Sequence, residues 1–157
     1  VNHAQLVERA VRWLRNTWRC PVVLSELHTA AGEIPDAIGW LHNGMVSILV
    51  ECKASQADYR CELKKPHRRV ESFGGWPAAG HERWFLTPPG LVSADDVLDG
   101  WGLAEVRGRQ VRRVVTPTHS LMVPFTKREH KEVDWRRLRN EVAMLVSALR
   151  RHQAGQR

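Results

Sequence analysis

The alternation of apolar and polar positions opens with a helix. In "NHAQLVERAVRWLRNTW", Val7, Val11, Leu14 and Trp18 recur at helical spacing and are expected to face a core. Arg9, Arg12 and Arg15 lie off that stripe. Asn2 is placed as N-cap, with Gln5 at the capping-box position. Pro21 breaks the helix, and "VVLSEL" then predicts a short strand ending near Glu26. "HTAAGE" predicts a loop.

Two strands follow, "IPDAIGWL" and "MVSILVECK", joined through "HNG", where Asn43-Gly44 is a hairpin-turn signal. Period-two alternation puts Asp36, Ile38 and Trp40 on one side of the first. In the second, Ser47, Leu49, Glu51 and Lys53 share one side, and Val46, Ile48, Val50 and Cys52 the other. So continuous an apolar run suits a central strand covered on both faces.

"SQADYRCELKK" predicts a helix with Ser55 as N-cap, and "VESFGGWPAAGH" a loop. "RWFLTP" predicts a strand stopped by Pro88-Pro89-Gly90. "SADDVLDG" suggests a short capped helical turn, and "WGLAEV" and "VRRVV" two strands around an Arg-Gly-Arg turn. After Lys131 a last helix is expected, with Val133, Leu138, Val142, Leu145 and Leu149 as its apolar face. The order αβββαβ plus additions implies an α/β (α+β) fold, a mixed sheet flanked by helices. No repeat, low-complexity segment or boundary interrupts it, so residues 1–157 are expected to form a single domain.

Charge adds a partner. The net charge is +7 and the pI near 10. The cations cluster at Lys64, Lys65, His67, Arg68 and Arg69, and at Arg107, Arg109, Arg112 and Arg113. Further groups are Lys127, Arg128, His130 and Lys131, then Arg136, Arg137 and Arg139. Each alone suits a solvated surface; together they suit a phosphate backbone. No run approaches about 18 apolar residues, so no membrane span is expected. The N-terminus lacks the apolar core of a secretory signal. Cys20, Cys52 and Cys61 cannot all pair and match no zinc spacing, which suits a reducing, cytoplasmic setting.

The chemistry concentrates in "IPDAIGWLHNGMVSILVECKAS". Antiparallel pairing centred on Asn43-Gly44 sets Asp36 beside Glu51, and alternation puts Lys53 on the face of Glu51. Buried charges need partners or a metal. Two carboxylates with carbonyl oxygens suit Mg²⁺ or Mn²⁺. A neighbouring lysine can orient a water or stabilise charge growing on a phosphate.

Pro35-Asp36 and Glu51-Cys52-Lys53, flanking a hairpin, resemble the signature of the PD-(D/E)xK nuclease superfamily. The resemblance covers about residues 2–88, with residues 89–157 as additions. It implies a restriction-endonuclease-like core and a divalent-metal-dependent nuclease that hydrolyses phosphodiester bonds of DNA. By it, Asp36 and Glu51 are metal ligands, the Cys52 carbonyl is an extra ligand, and Lys53 is the catalytic lysine. Glu26 and Glu8 match the places of a further acid. Glu26 also fits a solvated strand end, and Glu8 has Arg12 at i,i+4 as an ion-pair partner. A narrower similarity runs through "ECKASQADYRCELKKP", "RWFLTPPGLV" and "GWGLAEV", which look like small phage and bacterial proteins akin to MmcB-type DNA-repair-associated nucleases. That places the chain in DNA processing, repair or phage biology, in a bacterial cell or phage-infected host. Many superfamily members act as homodimers, although no coiled-coil seam is visible in this sequence.

On the helix after the motif, Gln56, Lys64 and Lys65, with Arg68 and Arg69 beyond it, are candidate nucleic-acid contacts. Asp58 equally suits a first-turn helix acid. Trp76 could stack on a base. His28, His42 and His119 have no partners at metal spacing, and Cys52 is expected on the packed face. The rival readings are a non-catalytic nucleic-acid-binding module on the same fold and a protein-interaction domain.

Overall fold

The structure is a computed structural model and describes residues 1–28, 33–41, 44, 46–65, 79–118 and 135–155. Its first element is the helix α1 (His3–Asn16). Asn2 and Gln5 form the expected capping box, each side chain accepting from the other's backbone N–H. The buried positions are Leu6, Ala10, Trp13 and Leu14, while Val7, Val11 and Trp18 are half-buried at the margin. The core-facing stripe is thus centred about one position from the expected one.

Three strands follow: β1 (Val22–Leu24), β2 (Ala37–Trp40) and β3 (Ser47–Cys52). The helix α2 (Gln56–Leu63) comes next, with the Ser55 hydroxyl accepting from the Asp58 N–H as cap. Then come β4 (Glu82–Thr87), β5 (Gly102–Arg107), β6 (Gln110–Val115) and the helix α3 (Trp135–Ala154). Between β4 and β5 a single 3-10 turn spans Ala94–Asp96, and its N-cap Ser93 makes no side-chain capping bond. The six strands lie in the order β1-β2-β3-β4-β5-β6. Pairing is antiparallel from β1 to β3, parallel from β3 to β5, and antiparallel at β5–β6. Among the described residues the chain is therefore α+β, with a six-stranded mixed sheet flanked by three helices.

Alternation on β3 divides the core in two. Ile48, Val50 and Cys52 join Trp84, Leu86 and α1 on one face; Leu49 joins Phe85, Leu103, Tyr59 of α2 and Met144 of α3 on the other. Every residue of β3 is buried, as expected for a central strand. Gly39 lets Cys20 approach β2: a Cβ there would meet the Cys20 sulfur at 2.9 Å.

The last helix differs from expectation. Val142 and Leu149 are more than half exposed and Leu145 is exposed, while Val133 lies outside the described residues. Instead α3 buries Arg137, Asn140, Glu141 and Met144. The cause is a polar clamp at the start of β3. Glu141 accepts from Trp40 Nε1 (3.0 Å), Ser47 Oγ (2.6 Å), the Gly80 N–H (3.0 Å) and Arg137 Nη1 (3.0 Å). A buried carboxylate with four donors satisfied fixes the helix rotation more firmly than its apolar residues do.

Candidate active site

The hairpin register places the motif residues together. Ala37 pairs with Val50, so Asp36 precedes β2 at the level where Glu51 continues β3. The Leu41 N–H donates to the Val46 carbonyl, continuing the same register towards the turn; Asn43 lies outside the described residues. Asp36 Oδ2 accepts from the Cys52 N–H at 2.6 Å. Its Oδ1 lies 3.3 Å from His3 Nε2 at the start of α1. Burial pushes the Asp36 carboxyl above its usual range, and the Cys52 N–H, Lys53 and His3 only partly pull it back.

Glu51 and Lys53 share a face of the sheet end, as alternation requires, and both are buried. Lys53 Nζ lies 3.4 Å from Glu51 Oε2, 2.7 Å from Glu62 Oε2 and 3.9 Å from Asp58 Oδ1. Burial alone would depress the Lys53 pKa. The charge of Glu51 and the Glu62 hydrogen bond outweigh it, so the net shift is upward. The upward shift favours the ammonium form, which can donate hydrogen bonds and stabilise negative charge.

Glu62 was not singled out from the sequence. It is 1% exposed and also holds Lys65 Nζ at 2.7 Å. The available signal was its spacing: Tyr59, Glu62 and Leu63 share one face of α2, and Tyr59 packs edge-on against Phe85 of the core. His3 was likewise unforeseen.

Level with Lys53 are the ends of the next two strands. The Lys53 N–H donates to the Leu86 carbonyl, and Thr87 pairs with Glu105. Glu105 accepts from the Gly90 N–H and from Arg107, which hold its carboxyl below the usual range. The intervening loop is strapped to α2 by Gln56 Nε2 on the Leu91 carbonyl and by the Tyr59 hydroxyl on the Asp96 carbonyl.

The remaining expected site residues are spread more widely. The Glu26 N–H donates to the Pro35 carbonyl, which brings its backbone beside the Pro-Asp step, but its side chain is exposed and its φ is +54°. Glu8 is exposed and pairs with Arg12. Gln56 and Lys64 are exposed on or at the end of α2; Arg68, Arg69 and Trp76 lie outside the described residues. The Cys52 side chain is fully buried on the α1 face, and burial next to Asp36 and Glu51 pushes its thiol well up, which disfavours a thiolate.

Among the described residues, no three His, Cys, Asp or Glu side chains are gathered as a metal-ligand group. The donor chemistry nonetheless fits a hard cation. Asp36 meets the Cys52 N–H beside Glu51, and Asp58 and Glu62 add negative charge around Lys53. That excess of carboxylate in a buried setting favours Mg²⁺ or Mn²⁺ over softer ions.

A solved structure of a protein of unknown function from Silicibacter pomeroyi is similar, with a TM-score of 0.64 and 20% identity. The match covers 99% of this chain and 92% of that chain. This likeness concerns the fold. No protein-family model matches the chain, and no curated protein matches it. Among the described residues, no helix is long and apolar enough to cross a membrane.

Proposed function

We propose that this protein is a divalent-metal-dependent nuclease that hydrolyses phosphodiester bonds of DNA, on a restriction-endonuclease-like core of the PD-(D/E)xK type. The observation that carries the reading is the docking of Asp36 on the Cys52 N–H, between Glu51 and Lys53 at one sheet end. Chance placement of an isolated Glu-x-Lys gives no reason for an aspartate from another strand to meet it there.

In this reading Asp36 and Glu51, with the Cys52 carbonyl, hold Mg²⁺ or Mn²⁺. Such an ion, when bound, neutralises phosphate charge and acidifies water. The Cys52 N–H fixes one oxygen of Asp36, and a metal would take Oδ1 in place of its present neighbour His3 Nε2. Lys53, held by Glu62 and Glu51, presents a fixed positive charge to the developing negative charge of the phosphate. Lys64 and Lys65, at the end of α2, are placed to meet the flanking backbone.

The deciding experiment incubates the purified chain with Mg²⁺ or Mn²⁺ and duplex, branched, flapped and single-stranded DNA, with RNA in parallel. Cleavage lost in Asp36→Ala and Lys53→Ala supports the reading. Salt-sensitive binding with no cleavage of any substrate would instead make the chain a non-catalytic nucleic-acid-binding module.

A further inference from the structure

The helix α1 with the residues just after it and the β5–β6 hairpin come from distant parts of the chain and are tied at two places, which mark out the α1–β6 seam. Arg9 Nη1 donates to the Arg109 carbonyl at 3.4 Å. Further along, the Arg113 guanidinium stands over the Trp18 indole, 5.9 Å from the ring centroid. Val11 and Val111, both half-buried, pack on the same core cluster between these two ties. This seam lies on the α1 face of the sheet, whereas Glu62 reaches Lys53 from α2 on the other.

The cations at the two ties are arginines, Arg9, Arg109 and Arg113, and Arg12 of the same helix is paired with Glu8. Folding thus brings cationic residues from two segments onto one surface, where like charges repel. A polyanion relieves that repulsion. The planar guanidinium fork matches phosphate oxygens two at a time, which an ammonium does not. Arg109, in the β5–β6 turn, and Arg113 of β6 are four residues apart, at most about 13 Å of backbone. That span corresponds to roughly four nucleotides of one DNA strand. An acidic polypeptide is the rival occupant: Val11 and Val111 are half-buried and Arg113 covers the Trp18 ring, which leaves Val114 as the exposed apolar side chain on β6.

We propose that the α1–β6 seam is a nucleic-acid-binding surface that grips the phosphodiester backbone without reading base sequence. It goes beyond the catalysis proposed above, since it needs neither a metal ion nor bond cleavage.

The test is fluorescence anisotropy of a labelled mixed-sequence DNA duplex in EDTA-containing buffer across a salt series. Arg109→Glu with Arg113→Glu is compared with Arg150→Glu with Arg151→Glu, an exposed pair on α3 whose reversal changes net charge equally. The seam variant is expected to bind at least tenfold more weakly, and its salt slope to fall by about two. The α3 variant is expected to stay within about threefold of wild type. Arg9→Gln, a milder change on an already formed helix, should lower the slope by about one and guards against misfolding of the double variant. Equal weakening by the two double variants would overturn the proposal, since net charge alone would then explain binding. So would a wild-type chain that binds polyglutamate but no DNA at low salt. Because no metal is present, these outcomes stand whether or not the chain cleaves DNA.

Discussion

The buried ammonium of Lys53 lies 2.7 Å from the buried carboxylate of Glu62, which reaches it from the following helix. Both groups are at least 95% covered. Removing one partner of a buried pair costs about 3–5 kcal/mol, a loss that Glu51 at 3.4 Å and Asp58 at 3.9 Å from Lys53 offset in part. Glu62→Ala should therefore lower the urea midpoint sharply. Replacing both by apolar residues, Lys53→Met with Glu62→Leu, should recover part of that loss, since the buried Glu51 then loses its contact with Lys53, as measured by a double-mutant cycle. Additive losses would mean that the pair does not act as a unit.

Asp36 carries a cost of its own. Its pKa is raised above 3.8 in the folded state, chiefly by burial. The acid form is thus favoured by folding, and that contribution is full below the unfolded value and lost as pH rises through the folded one. At neutral pH the ionised carboxylate destabilises the fold. Asp36→Asn keeps an acceptor for the Cys52 N–H and should raise stability at pH 7 by about 0.5–2 kcal/mol. The gain should vanish as pH falls below 3.8. Cleavage should be abolished in the same variant, so stability and activity move in opposite directions.

A divalent ion that binds the folded site alone stabilises it by mass action, about 2.7 kcal/mol at a hundredfold excess over Kd. Wild-type Tm should rise with Mg²⁺ or Mn²⁺, and the rise should be absent in Asp36→Asn. A Tm insensitive to both ions in wild type would argue against a metal at Asp36 and Glu51.

Glu141 anchors α3 through four donors, so Glu141→Ala should strand Trp40 Nε1 and the Gly80 N–H in the interior and remove a carboxylate partner of the buried Arg137. Each orphaned group costs about 1–3 kcal/mol. The expected result is a protein that fails to fold cooperatively, visible as loss of near-ultraviolet dichroism. Val142→Ala, at an exposed position, should change stability by less than about 0.5 kcal/mol.

These cases show which parts of the molecule were legible in the chain. Strand parity and the turn signal at Asn43-Gly44 determine both the face and the register of a hairpin, so the meeting of Asp36 with Glu51 followed from counting. The two strands around Arg107 and Arg109 followed from the same logic. The rotation of α3 did not follow, because its apolar residues repeat at helical spacing as a core face would. What overrides them is a carboxylate whose four partners come from β2, β3, the Gly80 segment and α3 itself. Glu62 was hidden for a related reason: an acid on a short helix looks solvated until its lysine partner is placed.

The Glu141 clamp also bears on how the chain is made. Synthesis runs from the N-terminus, and Ser47 leaves the ribosome 94 residues ahead of the carboxylate that receives its hydroxyl proton. Until α3 emerges, the opening of β3 has polar groups whose native partner does not yet exist. The central hairpin must therefore wait, hydrated, for the last helix to seal it. A nascent chain stalled before Glu141 would present that unsealed strand end to the cell's chaperones and proteases.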